Sequence, residues 1–323
     1  MRVMATVVCV ASLALSGLAA EAAALDVGTG LSIKQDAKAA GAEAAQKARD
    51  ALGHDDPNLV LVHYAGPLIP KAQEVVDGVA SVFPDRDGIF GCGAYSALTQ
   101  DGNNGAVAVL ALSGDVAVNI AVAPTSAKKD DAADVDCGES IGTLLKLAYG
   151  KTDKPGKLLL LFGACHVPRN ASVVKGITKV LGEACPIVGA AACQDSVVVR
   201  GKVAKSKTNV GILLRGDFTC GFGLRKDMST EGLIASARQA FQSALGEDRD
   251  RTELVLVFDC GGRRGAMLKQ KIFEGELAAM REVAGDVPIF GFYGSGEMGC
   301  EGAGQAPRGV GYHIAACAVK SSK

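Results

Sequence analysis

VPIFGFYGSGEMGC, Val287 to Cys300, carries the pattern from which the rest of the chain is read. Pro288 heads an apolar run, Ile289 to Tyr293, and Gly291, Gly294, Gly296 and Gly299 then remove the side chains that hold a backbone at a distance. The pattern predicts a buried strand opening into a Gly-lined loop. One acid, Glu297, stands on that loop, and Cys300 follows it. Such a loop brings backbone N–H groups and a carboxylate against a small molecule; the plainer alternative is a tight turn with a solvated acid.

The stretch has two siblings, GIFGCGAYS (Gly88 to Ser96) and CPIVGAAACQ (Cys185 to Gln194), each an apolar run followed by small residues with a cysteine among them. Each of the three follows a helical stretch and, before that, an apolar strand: NLVLVHYAG (Asn58 to Gly66), KLLLLFGACH (Lys157 to His166) and ELVLVFDCGG (Glu253 to Gly262). The leading strands begin about 95 to 100 residues apart, which suits a repeated domain-sized unit rather than a solenoid. The predicted fold class is α/β, built of tandem α-β-α-β-β-β units that form mixed sheets with helices outside.

Within the first unit the expected order is helix Ile33 to Leu52, strand Leu59 to Tyr64, helix Pro70 to Phe83 and strand Gly88 to Ala94. A hairpin of Ala106 to Ser113 with Asp115 to Ala123 follows. TSAKKDDAADVD (Thr125 to Asp136) reads as a charged linker. The second unit then opens with helix Glu139 to Tyr149 and closes with strand Phe218 to Leu224. The third, with helices Thr230 to Leu245 and Gln270 to Ala284, is shorter by one strand.

At 323 residues, with 48% apolar residues, 41 glycines and no tryptophan, the chain has material for two or three modest cores. Lys plus Arg is 34 against 35 Asp plus Glu, a formal charge of -1, so no basic stripe addresses nucleic acid and no polybasic patch addresses a membrane. Arg2, the uncharged run Val3 to Ala20 and AEAAALD predict a signal peptide over residues 1–24, cleaved after Ala24. The mature protein is then secreted or periplasmic, with no stable membrane anchor. Cys9 leaves with the signal, and the other nine of the ten cysteines, without a CxxC, match neither a disulfide scaffold nor a paired-cysteine zinc site.

LVLVFDCGGRR, a helix, and then VPIFGFYGSGEMG resemble the C-terminal module of the FIST family, whose pattern is an apolar strand ending in a Cys-x-x-Arg-like turn and a Pro-initiated strand ending in Gly-Glu. LVLVHYAG with GIFGCGAYSAL, together with the second unit, resembles the family's N-terminal module, although the first unit lacks the Gly-Glu ending. The resemblance implies an N-like domain over 25–225, of two units at about 25–124 and 137–225, and a C-like domain over 226–323. It also implies a sensory protein that binds a small ligand, with amino acids suggested; some relatives bind haem. Usual members are intracellular and often attached to signalling proteins, so a signalling partner is also implied.

The expected ligand site gathers Glu297, Arg263, Tyr293, Gly296 and Cys260 with Gly91 and Cys92 of the GCGA loop and Cys193, at the carboxyl ends of the parallel strands. Strand Leu254 to Phe258 should deliver Arg263 and Arg264 to the same sheet edge as Glu297; a Glu and an Arg held apart by a zwitterion would engage its ammonium and its carboxylate, and without ligand they would pair with each other. No cofactor is expected. The alternatives are haem or a soft metal on Cys165 and His166, or on Cys92, Cys193 and Cys300 if those loops converge, and a thiol-dependent enzyme. No catalytic motif stands out, since adjacent Cys165 and His166 point apart on a strand, and the chain is expected not to be an enzyme.

Overall fold

The computed structural model describes residues 25–125, 130–150 and 156–322, so the expected signal peptide and Cys9 lie outside the described residues. The first unit runs β1 (Asp26–Ser32), α1 (Ala37–Leu52), β2 (Leu59–Ala65), α2 (Ala72–Ala80), β3 (Ile89–Ala94), β4 (Ser96–Thr99), β5 (Gly102–Gly105) and β6 (Val107–Ser113). The second repeats it as β7 (Val116–Pro124), α3 (Asp131–Gly150), β8 (Gly156–Gly163), α4 (Arg169–Leu181), β9 (Ile187–Ala191), β10 (Val197–Val199), β11 (Lys202–Val203) and β12 (Thr208–Gly216). The third runs β13 (Phe218–Arg225), α5 (Thr230–Leu245), β14 (Thr252–Cys260), α6 (Gly261–Gln270), α7 (Phe273–Ala284), β15 (Ile289–Gly294), β16 (Glu297–Gly299), β17 (Arg308–Val310) and β18 (Ile314–Ser321).

Three six-stranded sheets result, in the orders β1-β6-β2-β3-β10-β11, β7-β12-β8-β9-β16-β17 and β13-β18-β14-β15-β4-β5. Each takes four strands from its own unit and a terminal hairpin from another. β4–β5 of the first unit completes the third sheet, β10–β11 completes the first, and β16–β17 completes the second. The exchange closes a ring, so each unit supplies the edge that another would leave unpaired. The leading strands β2, β8 and β14 pair in parallel with β3, β9 and β15, while the other pairings are antiparallel. These are the expected mixed sheets.

Several expectations about connectivity are corrected. β6 and β7 form no hairpin: β6 pairs with β1 and β2, whereas β7 pairs with β12 in the second sheet. β13 lies beside β18, so the third unit is not short of a strand, and β1, missed in the sequence, is the first-unit equivalent of β7 and β13. The charged linker is shorter than expected, because α3 begins at Asp131. Its Asp134 is fully buried and takes a bidentate pair from Arg169, Nε to Oδ2 at 2.7 Å and Nη2 to Oδ1 at 2.6 Å. α1 starts at Ala37 because the Asp36 carboxylate caps it, accepting from the Ala39 N–H, and Gly53 ends it in the left-handed region.

Helices cover the outer faces of the sheets, and the inner faces meet around a pseudo-threefold axis. Leu61, Leu160 and Leu256 occupy equivalent places in this shared core. So do His63, Phe162 and Phe258, with the His63 ring 4.2 Å from Phe292, 5.1 Å from Phe290 and 5.3 Å from Phe162. Each buried Phe of this kind contributes about 1.5–3 kcal/mol. Gly91 and Gly189, at φ of 154° and 152°, with Gly291, sit where a Cβ would collide with the carbonyl oxygen of Val62, Leu161 or Val257 on the parallel neighbour. That crowding is the reason the glycine recurs in every unit. Among the described residues no helix is long and apolar enough to cross a membrane.

Candidate functional site

The three strand-end loops converge on the axis at the carboxyl edge of the parallel strands. Backbone bonds tie each to the next unit: Tyr95 N–H to Tyr293 O at 2.8 Å, Ser295 N–H to Ala191 O at 2.9 Å, Gly93 N–H to Ser196 O at 2.8 Å. Tyr95, Cys193 and Ser295 each stand four residues beyond the recurring glycine, and they meet there. Ser295 Oγ is 3.4 Å from Tyr95 Oη, and the Cys193 thiol is hydrogen-bonded to the same tyrosine. The loop after β9 is longer than its equivalents and holds Gln194 and Asp195 both at φ 55°, a conformation non-glycine residues adopt at a cost.

Tyr95 and Tyr312 are the exposed aromatics of this mouth, at 45% and 52% exposure. They flank the N-terminus of α6, for a Cβ on Gly261 would fall on the Tyr95 ring and one on Gly262 on the Tyr312 ring. Tyr312 itself sits at φ 61°. Beneath them Cys260, 7% exposed, caps the helix, its Sγ accepting from the Gly262 N–H at 3.3 Å. α6 went unread in the sequence because Gly261-Gly262 signals a loop; the thiol cap and the Arg263 anchor outweigh that propensity.

Glu297, fully buried on β16, lies behind Cys260. His313 joins the two, donating its N–H to Glu297 Oε2 at 3.0 Å and accepting from the Cys260 N–H at 3.2 Å. Glu297 Oε1 has no hydrogen-bond acceptor or donor in good geometry, although the Cys260 thiol stands against the carboxyl. Burial pushes the Glu297 carboxyl up to about 8, against the opposing His313 N–H, and the Asp259 charge adds to the rise. Burial, then the Glu297 charge, pushes the Cys260 thiol up to about 11.

Arg263 is not paired with Glu297. Fully buried at the start of α6, it points inward: Nε donates to Asp259 Oδ1 at 2.8 Å, Nη2 to Glu276 Oε1 and Leu233 O at 2.9 Å, and Nη1 to Ser236 Oγ at 2.9 Å and Asp227 O at 3.2 Å. The expected Arg263–Glu297 pair is thus corrected, because two nearer carboxylates saturate the guanidinium. Tyr293 joins that network, its Oη donating to Glu276 Oε2 at 2.7 Å. Burial, then Asp259, raises the Glu276 carboxyl well above its ordinary value, while the Arg263 charge opposes the rise.

The other expected residues disperse. Gly91 and Cys92 lie in the axial core, the Cys92 thiol 3.5 Å from His63 Nδ1. Gly296, at φ 136°, packs on Val167 and Asn170, and Cys193 reaches the mouth through Tyr95. Cys92, Cys193 and Cys300 do not converge, since the Cys300 thiol faces the Ile187 carbonyl instead. Haem or a soft metal on Cys165 and His166 does not fit: Cys165 is buried with its thiol pushed up to about 12 by burial, while His166 is exposed with Nδ1 on the Val167 carbonyl. Among the described residues no three His, Cys, Asp or Glu are placed to hold a metal ion.

Beside Tyr95 opens a cleft of about 480 Å³, walled by Gly66, Leu68, Ser96, Asn104 and Arg264. Arg264 lies over the Phe273 ring and donates from Nη2 to Asn104 Oδ1 at 3.1 Å, but its Nε is buried without a partner. Tyr95, Ser295 and Arg264's unfilled donor are what the reading of single motifs missed. The common four-residue offset from Gly91, Gly189 and Gly291 is the sequence signal that leads to the first two.

Two solved structures similar to the chain are cyanuric acid hydrolases. One is 12% identical over 92% of this chain and 99% of that one, with a TM-score of 0.47. The other, from A. caulinodans, is 13% identical over the same shares, with a TM-score of 0.50. At such identity the likeness shows a shared fold alone. The expectation that the chain is not an enzyme is corrected to this extent: the fold it shares with the A. caulinodans protein is one that also carries a hydrolase. No curated protein matches the sequence. The FIST C domain model matches residues 187–300 and the FIST N domain model residues 58–237, more than half of the 323 residues, and the chain therefore belongs to the FIST family.

Proposed function

We propose that this FIST protein is a sensory protein acting outside the cytoplasm, and that it binds a small polar molecule bearing a carboxylate, such as an amino acid, in the cleft beside Tyr95. The observation that carries the reading is Arg264. Its guanidinium lies in the cleft wall, with Nη2 bonded to Asn104 Oδ1 at 3.1 Å and its remaining donor capacity left to an acceptor in the cleft. A carboxylate supplies two acceptor oxygens to the guanidinium fork, while Tyr95, Ser96 and Asn104 offer hydroxyls and an amide to the rest of the ligand. Arg264 thus takes the anion-binding part first assigned to Arg263, which is already saturated.

Calorimetric titration of the amino acids into wild type, Arg264→Ala and Tyr95→Phe tests the site. Binding by wild type with at least a tenfold loss in Arg264→Ala, at unchanged melting temperature, is expected. Absence of binding by any amino acid or small carboxylate, or equal affinity in Arg264→Ala, overturns it. Export rests on Arg2, the apolar run Val3 to Ala20 and the small residues before Leu25. Intact-mass measurement of the protein from its native host is expected to find residues 1–24 absent.

A further inference from the structure

We infer that Cys260 is a nucleophile with Glu297 as its base, opening on the tyrosine-flanked mouth and reacting with small esters or activated amides. This goes beyond ligand binding at Arg264 and stands on separate residues. The nucleophile sits where a strand turns directly into a helix, the last residue of β14 and the cap of α6. Its sulfur faces the backbone N–H groups of Gly262, Arg263 and Tyr312, three donors that offset part of the burial opposing a thiolate, so the proton has to be taken by a base as the sulfur attacks. Glu297 supplies the second, independent observation. It is wholly buried, its Oε2 is fixed by the His313 N–H, Oε1 has no partner in hydrogen-bonding geometry, and the Cys260 thiol stands against the carboxyl. A purely structural carboxyl at this depth would have its second oxygen bonded.

Position in the repeat points the same way. Sheet register places Glu297 opposite Ala190, Val197 opposite Cys92 and Ala97 opposite Phe292, so the three are equivalent, and the other two units put small apolar residues there. A carboxylate in that place is not needed by the fold. The charged and titratable groups facing Glu297 are Asp259, Cys260 and Arg263, with His313 bonded to it through its backbone. Arg263 is spent on Asp259 and Glu276, which leaves Cys260 as the proton donor within reach.

The chemistry balances with water as the only co-reactant. Glu297 carboxylate takes the Sγ proton as sulfur bonds to the carbonyl carbon, and the C=O pair moves onto oxygen. Collapse of that adduct breaks the bond to the alkoxide or amine, which departs with its electron pair and receives the proton from Glu297. Water, giving a proton to Glu297, then attacks the thioester carbon; the C–S bond breaks, the acid leaves, and the proton returns to sulfur.

p-Nitrophenyl acetate tests this on the full chain. Wild type is expected to release a burst of one equivalent of nitrophenolate above about pH 8, with acetyl mapped by peptide mass spectrometry to Cys260. Cys260→Ser, which retains a hydroxyl cap for α6, is expected to fold with an unchanged melting temperature and to lose the burst. Glu297→Gln is expected to slow the burst about 10²-fold or more and to remove its rise with pH. No burst in folded wild type, acetyl found on a different residue, or a burst undiminished in Glu297→Gln overturns the inference. Those outcomes are distinct from failure of the Arg264 site, which is read by amino-acid titration.

Discussion

The first and third units share a sheet plan, yet they bury different chemistry, and the repeat makes each a control for the other. At the end of its leading strand the first unit places Tyr64, whereas the third places Asp259 and then buries Arg263, Glu276 and Glu297 around it. The first unit instead buries one imidazole, His63, where the second and third have Phe162 and Phe258. A buried ionisable group at a place the siblings fill with hydrocarbon is a group the fold does not require. The two cases differ in surroundings. His63 is enclosed by phenylalanines, and Glu297 stands behind a mouth with a thiol, two exposed tyrosines and a helix N-terminus.

The largest effect is expected from breaking the third unit's network. Arg263→Ala strands Asp259 and Glu276 without a cation, at a cost of about 3–5 kcal/mol, read as a drop in denaturant midpoint. Retention of wild-type stability would show that the two acids adapt by taking up protons.

Titration sharpens the comparison, because the two isolated groups pull in opposite directions. Burial lowers His63 from 6.5 to about 3, so its unfolded form binds a proton first; stability is full above pH 6.5 and falls as pH drops towards 3, by about 1.4 kcal/mol per unit. Glu297 is raised from 4.5 to about 8, so its share is full below pH 4.5 and is lost as pH rises towards 8. Between 4.5 and 6.5 they offset each other. His63→Phe is expected to flatten the acid limb of the stability profile, and Glu297→Gln the alkaline limb; a profile unmoved by either substitution would refute the assignment.

At a fixed neutral pH, His63→Phe is expected to gain about 1–2 kcal/mol, since Nε2 is buried without a partner and the sibling units accommodate the ring. Thermal denaturation checks it. The smallest effect is expected from Tyr293→Phe, which removes one hydrogen bond to Glu276, about 1–1.5 kcal/mol.

Local pattern alone carried the repeat, the leading strands, the glycines at 91, 189 and 291 and the placing of Cys260 at a strand end, whereas Glu297, expected on an open loop, begins β16. The former are local matters of apolar runs, spacing and backbone crowding. Local pattern also marked Arg263 as special but matched it with Glu297, the wrong carboxylate, because which acid an arginine meets depends on α5 and α7 arriving over it. That β6 and β7 part into different sheets follows from long-range pairing alone, since a short turn between two strands reads as a hairpin whether or not they pair. The same holds for the ring of exchanged hairpins. Bonds between strands of different units are fixed by register across the whole chain, and that exchange is what brings Tyr95, Cys193 and Ser295, each in its own unit, to a common axis.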